Sequence, residues 1–226
     1  MINIIEELEK QGLILNSRNI GSAKPIIIKE SIPFMNGSFD FSKISGTYNY
    51  DDRIIDLQYT VMDEKLAYVN NIYNYLQTLF LENSTVRVKF EDIRGFWIGE
   101  VTNFSDFEEI NYLGKFNIKI NAKPFRYSDD MFGDDIWDNF NFEFDVTEIK
   151  NYKVENSLSF KLTNVGVSIS PIINVDSDME ININNKKFYL KKGVNKIRRL
   201  RFKNGTNQIY VTGNGSIEFI YRKELL

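Results

Sequence analysis

The stretch from Asn36 to Val61 constrains the fold more than any other part of this sequence. Asn36-Gly37 predicts a tight turn, because both residue types tolerate a positive φ. Beyond the turn, every second position is apolar or aromatic in two runs, which are Phe39 and Phe41 and then Ile55, Leu57, Tyr59 and Val61. A period of two is typical of a β-strand, whose successive side chains point to opposite faces. We therefore predict a hairpin that leads into a long strand, at the centre of a sheet or on an assembly surface.

The composition predicts a soluble, β-rich protein without thiol or imidazole chemistry. The chain has 226 residues, of which 42% are hydrophobic and 14% aromatic, enough for one large β domain or two ordinary ones. The absence of Cys and His excludes disulfides, thiolate or imidazole zinc sites, and catalytic triads that need either group. A formal net charge of −3 argues against a whole-protein nucleic-acid binder. We expect no signal peptide and no membrane span, since the N-terminus is acidic and the apolar runs are short.

The segment from Asp63 to Leu81 is the only one whose pattern predicts a helix. Apolar residues recur there at steps of three and four, namely Leu66, Val69, Tyr73, Leu76 and Phe80. A membrane or partner helix is one interpretation, but its polar face has few Lys or Arg residues, so we favour a helix packed on a sheet. Short strands fill the rest of the chain. An Asp-rich interval from Phe125 to about Lys150 predicts a domain junction, followed by an all-β unit of the sandwich type.

Carboxylates are the main candidates for acid–base chemistry in this chain. Glu108, Glu109 and the aspartates from Asp129 to Asp138 could serve a glycosidase, but we place them in polar loops that would not raise the pKa of one acid alone. The spacing of a calcium-binding loop is absent. We therefore predict no catalytic, cofactor-binding or metal site. The basic segment from Lys186 to Lys203 would contact nucleic acid or an anionic cell-wall polymer, or else, as we favour, decorate exposed strand edges.

The order of these segments resembles the distal tail protein (Dit) family of long-tailed phages over nearly the whole chain. The turn at Asn36-Gly37 departs from the Gly-Arg-Asp-Gly of that family, with Phe34, Met35 and Asn36 in place of Gly, Arg and Asp. The residues that carry the resemblance are Gly12-Leu13-Ile14-Leu15, Ile32-Pro33, Asn36-Gly37, Tyr50-Asp51-Asp52-Arg53-Ile54-Ile55, Tyr73-Asn74-Tyr75-Leu76, Phe116 to Pro124-Phe125, Thr163-Asn164-Val165-Gly166, Pro171, Asn184-Asn185 and Ile217-Glu218-Phe219-Ile220-Tyr221-Arg222.

The resemblance implies a mainly β fold with one long helix, in two domains. Residues 1–127 would form an N-terminal β-barrel-like, ring-forming domain with the helix at 63–81. Residues 128–226 would form a C-terminal galectin-like β-sandwich. A hexameric ring would join the tail tube to the baseplate or receptor-binding proteins, and DNA would pass through its channel without specific binding. The protein would then be a structural component of the virion tail, assembled in the bacterial cytoplasm, with no enzymatic activity, cofactor or membrane anchor.

The same resemblance suggests that the opening stretch faces a neighbouring subunit. The candidate interface residues are Tyr48, Tyr50, Arg53, Asp56 and Gln58. We expect Arg53 to be an exposed strand arginine, so that Arg53→Glu breaks the ring while the subunit still folds.

Two alternatives from other classes stay open. A carbohydrate-binding module that recognises cell-surface glycans would use a sandwich face or an aromatic platform such as Trp97 or Trp137. A glycosidase would need two carboxylates across a cleft, one of them with a raised pKa.

Overall fold

The computed structural model describes residues 1–34, 36–44, 47–62, 66–82, 85–104, 108–110, 113–132 and 149–226. The chain divides into two units, Met1–Arg126 and Tyr127–Leu226. The described elements of the first unit are β1 (Ile2–Asn3), α1 (Ile4–Lys10), β2 (Ile14–Ile20), β3 (Lys29–Glu30), β4 (Phe39–Asp40), β5 (Arg53–Met62), α2 (Leu66–Glu82), β6 (Thr85–Val88), β7 (Trp97–Phe104), β8 (Glu108–Ile110) and β9 (Leu113–Ala122).

A seven-stranded sheet forms most of the first unit, in the order β1-β6-β7-β9-β5-β2, with β8 paired to β9. Strand β5 lies between β2 and β9 and is antiparallel to both. The side chains of Ile55, Leu57, Tyr59 and Val61 are buried, whereas Ile54 on the opposite face is exposed. The alternation in the sequence therefore predicted the long strand β5, but this strand lies beside the edge strand β2 and not at the centre of the sheet.

Helix α2 covers the buried face of this sheet. Ile72, Leu76 and Phe80 are buried in the same core cluster as Ile55 and Leu57, which agrees with a helix packed on a sheet. Aromatic rings join the two layers. The Tyr73 ring lies 5.8 Å from that of Phe116 on β9. The Phe80 ring lies 5.8 Å from that of Phe104 on β7.

Two helices, rather than the single predicted one, occur among the described residues. Residues 63–65, where we predicted the start of α2, lie outside that part of the chain. Helix α1, which the sequence pattern did not predict, buries Ile4, Ile5 and Leu8 in the core of the first unit. Seven residues form only two helical turns, too few for a clear period, so α1 depends on this packing. Neither described helix has the length and apolarity that crossing a membrane requires.

The second unit is built of strands, and its long strand β16 organises the rest. The described strands are β10 (Arg126–Met131), β11 (Asn151–Asn164), β12 (Ile172–Val175), β13 (Met179–Ile183), β14 (Lys186–Leu190), β15 (Gly193–Lys196), β16 (Gly205–Ile220) and β17 (Arg222–Leu225). Strand β16 has 16 residues, pairs with β11 along one edge, and pairs with β13 and then β12 along the other. The six-stranded sheet has the order β14-β13-β16-β12-β15, with β11 off this path, and β10 pairs with β17 separately.

Two glycines of β16 lie between the residues that pair with β13 and the residues that pair with β12. Gly213 and Gly215 have φ values of 145° and 133°, which side-chain-bearing residues rarely adopt. A Cβ at Gly215 would lie 1.9 Å from Oδ1 of Asp176, whose carboxylate accepts hydrogen bonds from the backbone N–H and hydroxyl of Ser216. On either side of these glycines, Ile209, Val211, Ile217 and Phe219 point into the core. The two glycines therefore allow the single strand β16 to pair first with β13 and then with β12.

Gly99→Ala should destabilise the first unit by about 2 kcal/mol, the cost of overpacking a tight site. An added Cβ would lie 2.7 Å from Cγ2 of Ile120 and 2.8 Å from Cα of Ala122. Ala122 lies directly opposite Gly99 on the paired strand, so the backbone has little room to move. Urea unfolding measures the loss, with the exposed neighbour Glu100→Ala as the control, expected within about 0.5 kcal/mol of wild type. Equal stability of the two variants would contradict this packing.

Candidate assembly surface

The outer face of β5 carries two of the predicted interface residues. Asp56 and Gln58 are half-buried there, and Ile54 on the same face is exposed. Asp56 lies between Asn19 on β2 and Lys119 on β9. Gln58 accepts a hydrogen bond from the hydroxyl of Ser17 at 3.4 Å. Apart from Ile54, this face is polar, and it is open to solvent.

Arg53 lies on the other face, and the expectation that it is an exposed strand arginine is wrong. Its side chain is 6% exposed, because the period of two places it on the same side as Ile55 and Leu57. Its Nη2 donates a hydrogen bond to the carbonyl oxygen of Pro124. The guanidinium lies 5.8 Å from the ring centre of Trp97, and Arg126 lies 5.7 Å from the same ring. Burial, and then the nearby charge of Arg126, lower the pKa of Arg53 below its usual value.

Tyr48 and Tyr50 are half-buried and contact their own subunit. The ammonium of Lys43 lies 4.4 Å above the ring centre of Tyr48. Tyr50 packs edge-on against Phe125 with ring centres 5.4 Å apart, and it forms a β-bridge with Pro25. These tyrosines anchor the segment before β5 to the rest of the unit and leave part of each side chain accessible.

Seven large, exposed apolar side chains lie in the segment that precedes these tyrosines. We call this set, on and around the β3–β4 hairpin, the hairpin surface, and its members are Ile27, Ile28, Ile32, Phe34, Phe39, Phe41 and Ile44. Each has at least 41% of its side chain exposed, and Phe34 is fully exposed. The Phe39 and Phe41 rings stack at 6.4 Å. Soluble proteins rarely expose so many large apolar groups together unless they contact another molecule.

Backbone and side-chain hydrogen bonds hold the hairpin surface in a defined shape. The N–H of Phe41 donates to the carbonyl of Ile28 at 2.9 Å, and the N–H of Ile28 donates to the buried hydroxyl of Ser42 at 2.8 Å. The N–H of Ile26 donates to the carbonyl of Asn49. Phe34 adopts a φ of 69°, which is unusual for an aromatic residue. The apolar side chains are therefore displayed on an ordered framework.

The sequence indicated only part of this surface. The alternation of Phe39 and Phe41 predicted one face of a strand, but it could not show that no second layer covers that face. A run of large apolar residues within a segment rich in turn residues was the available signal, at Ile32, Phe34, Phe39, Phe41 and Ile44.

The structure also locates the residues considered for chemistry. Trp97 is buried and packs edge-on against Phe90, so it cannot serve as a binding platform, and Trp137 lies outside the described residues. Glu108 and Glu109 belong to β8 rather than to a loop, and Asp134, Asp135 and Asp138 also lie outside the described residues. Among the residues that are described, no group of three acidic side chains is placed to hold a metal ion.

Part of the basic segment lies on β14 and β15, which stand at the two ends of the strand order in the second sheet, while Arg198, Arg199, Arg201 and Lys203 follow β15 and are exposed. This position agrees with the interpretation that its Lys and Arg residues decorate exposed edges, where they discourage pairing with other chains. Lys187 in addition forms a salt bridge with Glu180 on the adjacent strand, at 2.8 Å.

Arg53→Ala should lower the free energy of unfolding by about 3 kcal/mol, because it removes a buried charged hydrogen bond and leaves a cavity beside Trp97. Lys119→Ala is the matched control, since this cation is exposed on the neighbouring strand and its loss should cost less than about 0.5 kcal/mol. Urea unfolding of both variants makes the comparison. If Arg53→Ala were as stable as Lys119→Ala, the buried role of Arg53 would be wrong.

Comparison with known proteins yields matches among solved structures. No protein-family model matches the sequence, and no curated protein does either. The Dit protein of phage SPP1, described as a paradigm of the hub adsorption apparatus in phages that infect Gram-positive bacteria, matches with a TM-score of 0.63 and 13% identity, over 95% of this chain and 94% of its own. Two structures of the phage P2 baseplate in its activated conformation, with Ca and with Sr, match with TM-scores of 0.43 and 0.40. They are 8% and 9% identical, over 95% and 94% of this chain and 92% and 88% of theirs. The chain therefore has the fold of a phage distal tail protein.

Proposed function

We propose that this protein is a structural component of a phage tail tip, a hub that joins the tail tube to the baseplate or receptor-binding apparatus. The observation that carries the proposal is the fold shared with SPP1 Dit along nearly the whole of both chains. That protein is described as a paradigm of the hub adsorption apparatus, and the match covers 95% of the present chain and 94% of that one.

The first unit, residues 1–127 in this proposal, forms a hexameric ring with further copies of itself. The hairpin surface supports this assignment, because it displays ordered apolar side chains that association would remove from water. Asp56 and Gln58 on the outer face of β5, together with the accessible parts of Tyr48 and Tyr50, form the polar margin of the same interface. Arg53 contributes indirectly, by fixing β5 against the segment that contains Pro124.

The second unit, residues 128–226, is in this proposal a galectin-like β-sandwich attached to a β-barrel-like ring domain. The ring contacts the tail tube protein and the tail-associated hub or receptor-binding proteins. DNA passes through its channel without specific binding, which suits a formal net charge of −3. The protein is a virion component assembled in the bacterial cytoplasm, and it acts through contacts rather than through catalysis or a cofactor.

The purified protein should form rings of several subunits at high concentration or in the presence of its tail partners. Light scattering gives the mass of the assembly, and negative-stain microscopy shows whether it is closed. A strict monomer under both conditions would count heavily against the proposed role.

Phe34→Asp and Ile44→Asp test the hairpin surface as the ring interface. Each places a charge on an exposed apolar site, and Asp also tolerates the positive φ at position 34, so the fold should stay intact. We expect association to weaken by at least about tenfold with an unchanged unfolding midpoint, because desolvating a carboxylate opposes contact.

Val194→Asp is the matched control for these two variants, because Val194 is an exposed apolar residue of the second unit with 66% of its side chain accessible. It should leave the ring intact. Normal rings from Phe34→Asp and Ile44→Asp would exclude this interface even if the wild-type protein assembles.

A further inference from the structure

Four neighbouring strands of the second unit present one exposed face, which we call the tyrosine face. It consists of the outward residues of β11, β16, β13 and β14. Tyr210 on β16 lies opposite Asn182, which lies opposite Lys187 on β14. Tyr189, two residues along β14, lies opposite Glu180. The pairing therefore brings two tyrosines and three polar side chains onto a single surface.

Both tyrosines are unusually accessible for aromatic residues on a sheet. Tyr189 is 77% exposed and Tyr210 is 46% exposed, whereas Leu190, Ile209 and Val211, which point to the other side of the same strands, are buried in the core. Burial of Leu190, Ile209 and Val211 beneath the face holds the strands in position. The two rings are thus presented on a rigid support and lose little conformational freedom when a ligand binds.

A charged pair lies between the two rings. The ammonium of Lys187 donates a hydrogen bond to Oε1 of Glu180 at 2.8 Å. This bond, together with the charge of Glu180, raises the pKa of Lys187. Asn182, Gln208, Glu180 and Lys187 together supply donors and acceptors across the face.

The chemistry of the face distinguishes among classes of ligand. The face contains the outward residues at 157–163 of β11, 180–182 of β13, 187–189 of β14 and 206–212 of β16. Apart from the tyrosines, these residues are Ser, Thr, Asn, Gln, Lys and Glu. The aliphatic core that a protein interface normally has is therefore missing from these positions. Two lysines and one glutamate give this patch a net charge of +1, and Glu180 already neutralises Lys187. Such a surface is poorly suited to a polyanion, whose binding depends on free cations.

We propose that the tyrosine face binds a glycan chain of uncharged sugars. Sugar rings combine an apolar face, which stacks on an aromatic ring, with hydroxyl groups that require both donors and acceptors. Tyr189 and Tyr210 supply the rings, and Asn182, Gln208 and the Lys187–Glu180 pair supply the polar partners. The near-neutral charge of the face matches an uncharged glycan. This binding site is independent of ring formation, since none of its residues belongs to the first unit.

The full-length protein tests this site on a glycan array that contains neutral and anionic polysaccharides, followed by affinity electrophoresis with dextran, mannan, laminarin and each neutral glycan retained on the array. We expect retention by at least one neutral glycan, insensitive to added salt. Tyr189→Ala and Tyr210→Ala should each weaken it about tenfold, as the loss of one aromatic contact implies. Tyr75→Ala, which removes a tyrosine 47% exposed on α2, is the matched control and should bind like wild type.

Three results would overturn the proposal. One is the absence of retention by every glycan tested. Another is retention only by anionic glycans or heparin that added salt abolishes. The third is binding of a neutral glycan that survives both tyrosine substitutions. Because the tyrosine variants lie in the second unit, ring formation and glycan binding can fail separately, and microscopy of the same samples distinguishes the two.

Discussion

The packing of aromatic rings between α2 and the central strands is the interaction on which the first unit depends. Tyr73 and Phe80 of the helix reach Phe104 and Phe116 of the sheet, and Phe116 in turn stacks with Tyr59 at 6.1 Å. Large rings bury much apolar area for each residue, so a few contacts fix the helix on one face. The opposite face of β5 and the hairpin surface are then left for contacts outside the subunit. These two uncovered surfaces are the ones that the proposed ring would bury.

The second unit divides its surfaces in a comparable way. Long strand β16 sends Ile209, Val211, Ile217 and Phe219 into the core, and the same alternation turns Tyr210 outward. Gly213 and Gly215 allow the strand to continue from one set of partners to the next. A continuous, well-supported sheet face results, and its exposed side chains are polar apart from the tyrosines. We infer a structural role for one unit and recognition of a glycan for the other.

The sequence patterns predict much of the fold but only part of the candidate site. Strand β5 and helix α2 have long, regular patterns, and both are found where the periods predicted them. Helix α1 was missed because its two turns carry too short a pattern. The residue type favours an exposed Arg53, but its even spacing from Ile55 and Leu57 along the strand places it on the buried face. Trp97 was considered as a platform on residue type alone, and the structure buries it.

The sequence by itself determined the β-rich character, the long strand β5, the main helix and the exclusion of chemistry that requires Cys or His. These properties depend on residues near one another in the chain or on composition, so periodicity and residue type are sufficient evidence. Only the tertiary structure decided which alternating faces are covered. Phe39 and Leu57 both follow a period of two, yet one is exposed on a two-residue strand and the other is buried under a helix. That difference depends on which distant segments pack against each strand, and no local pattern records it.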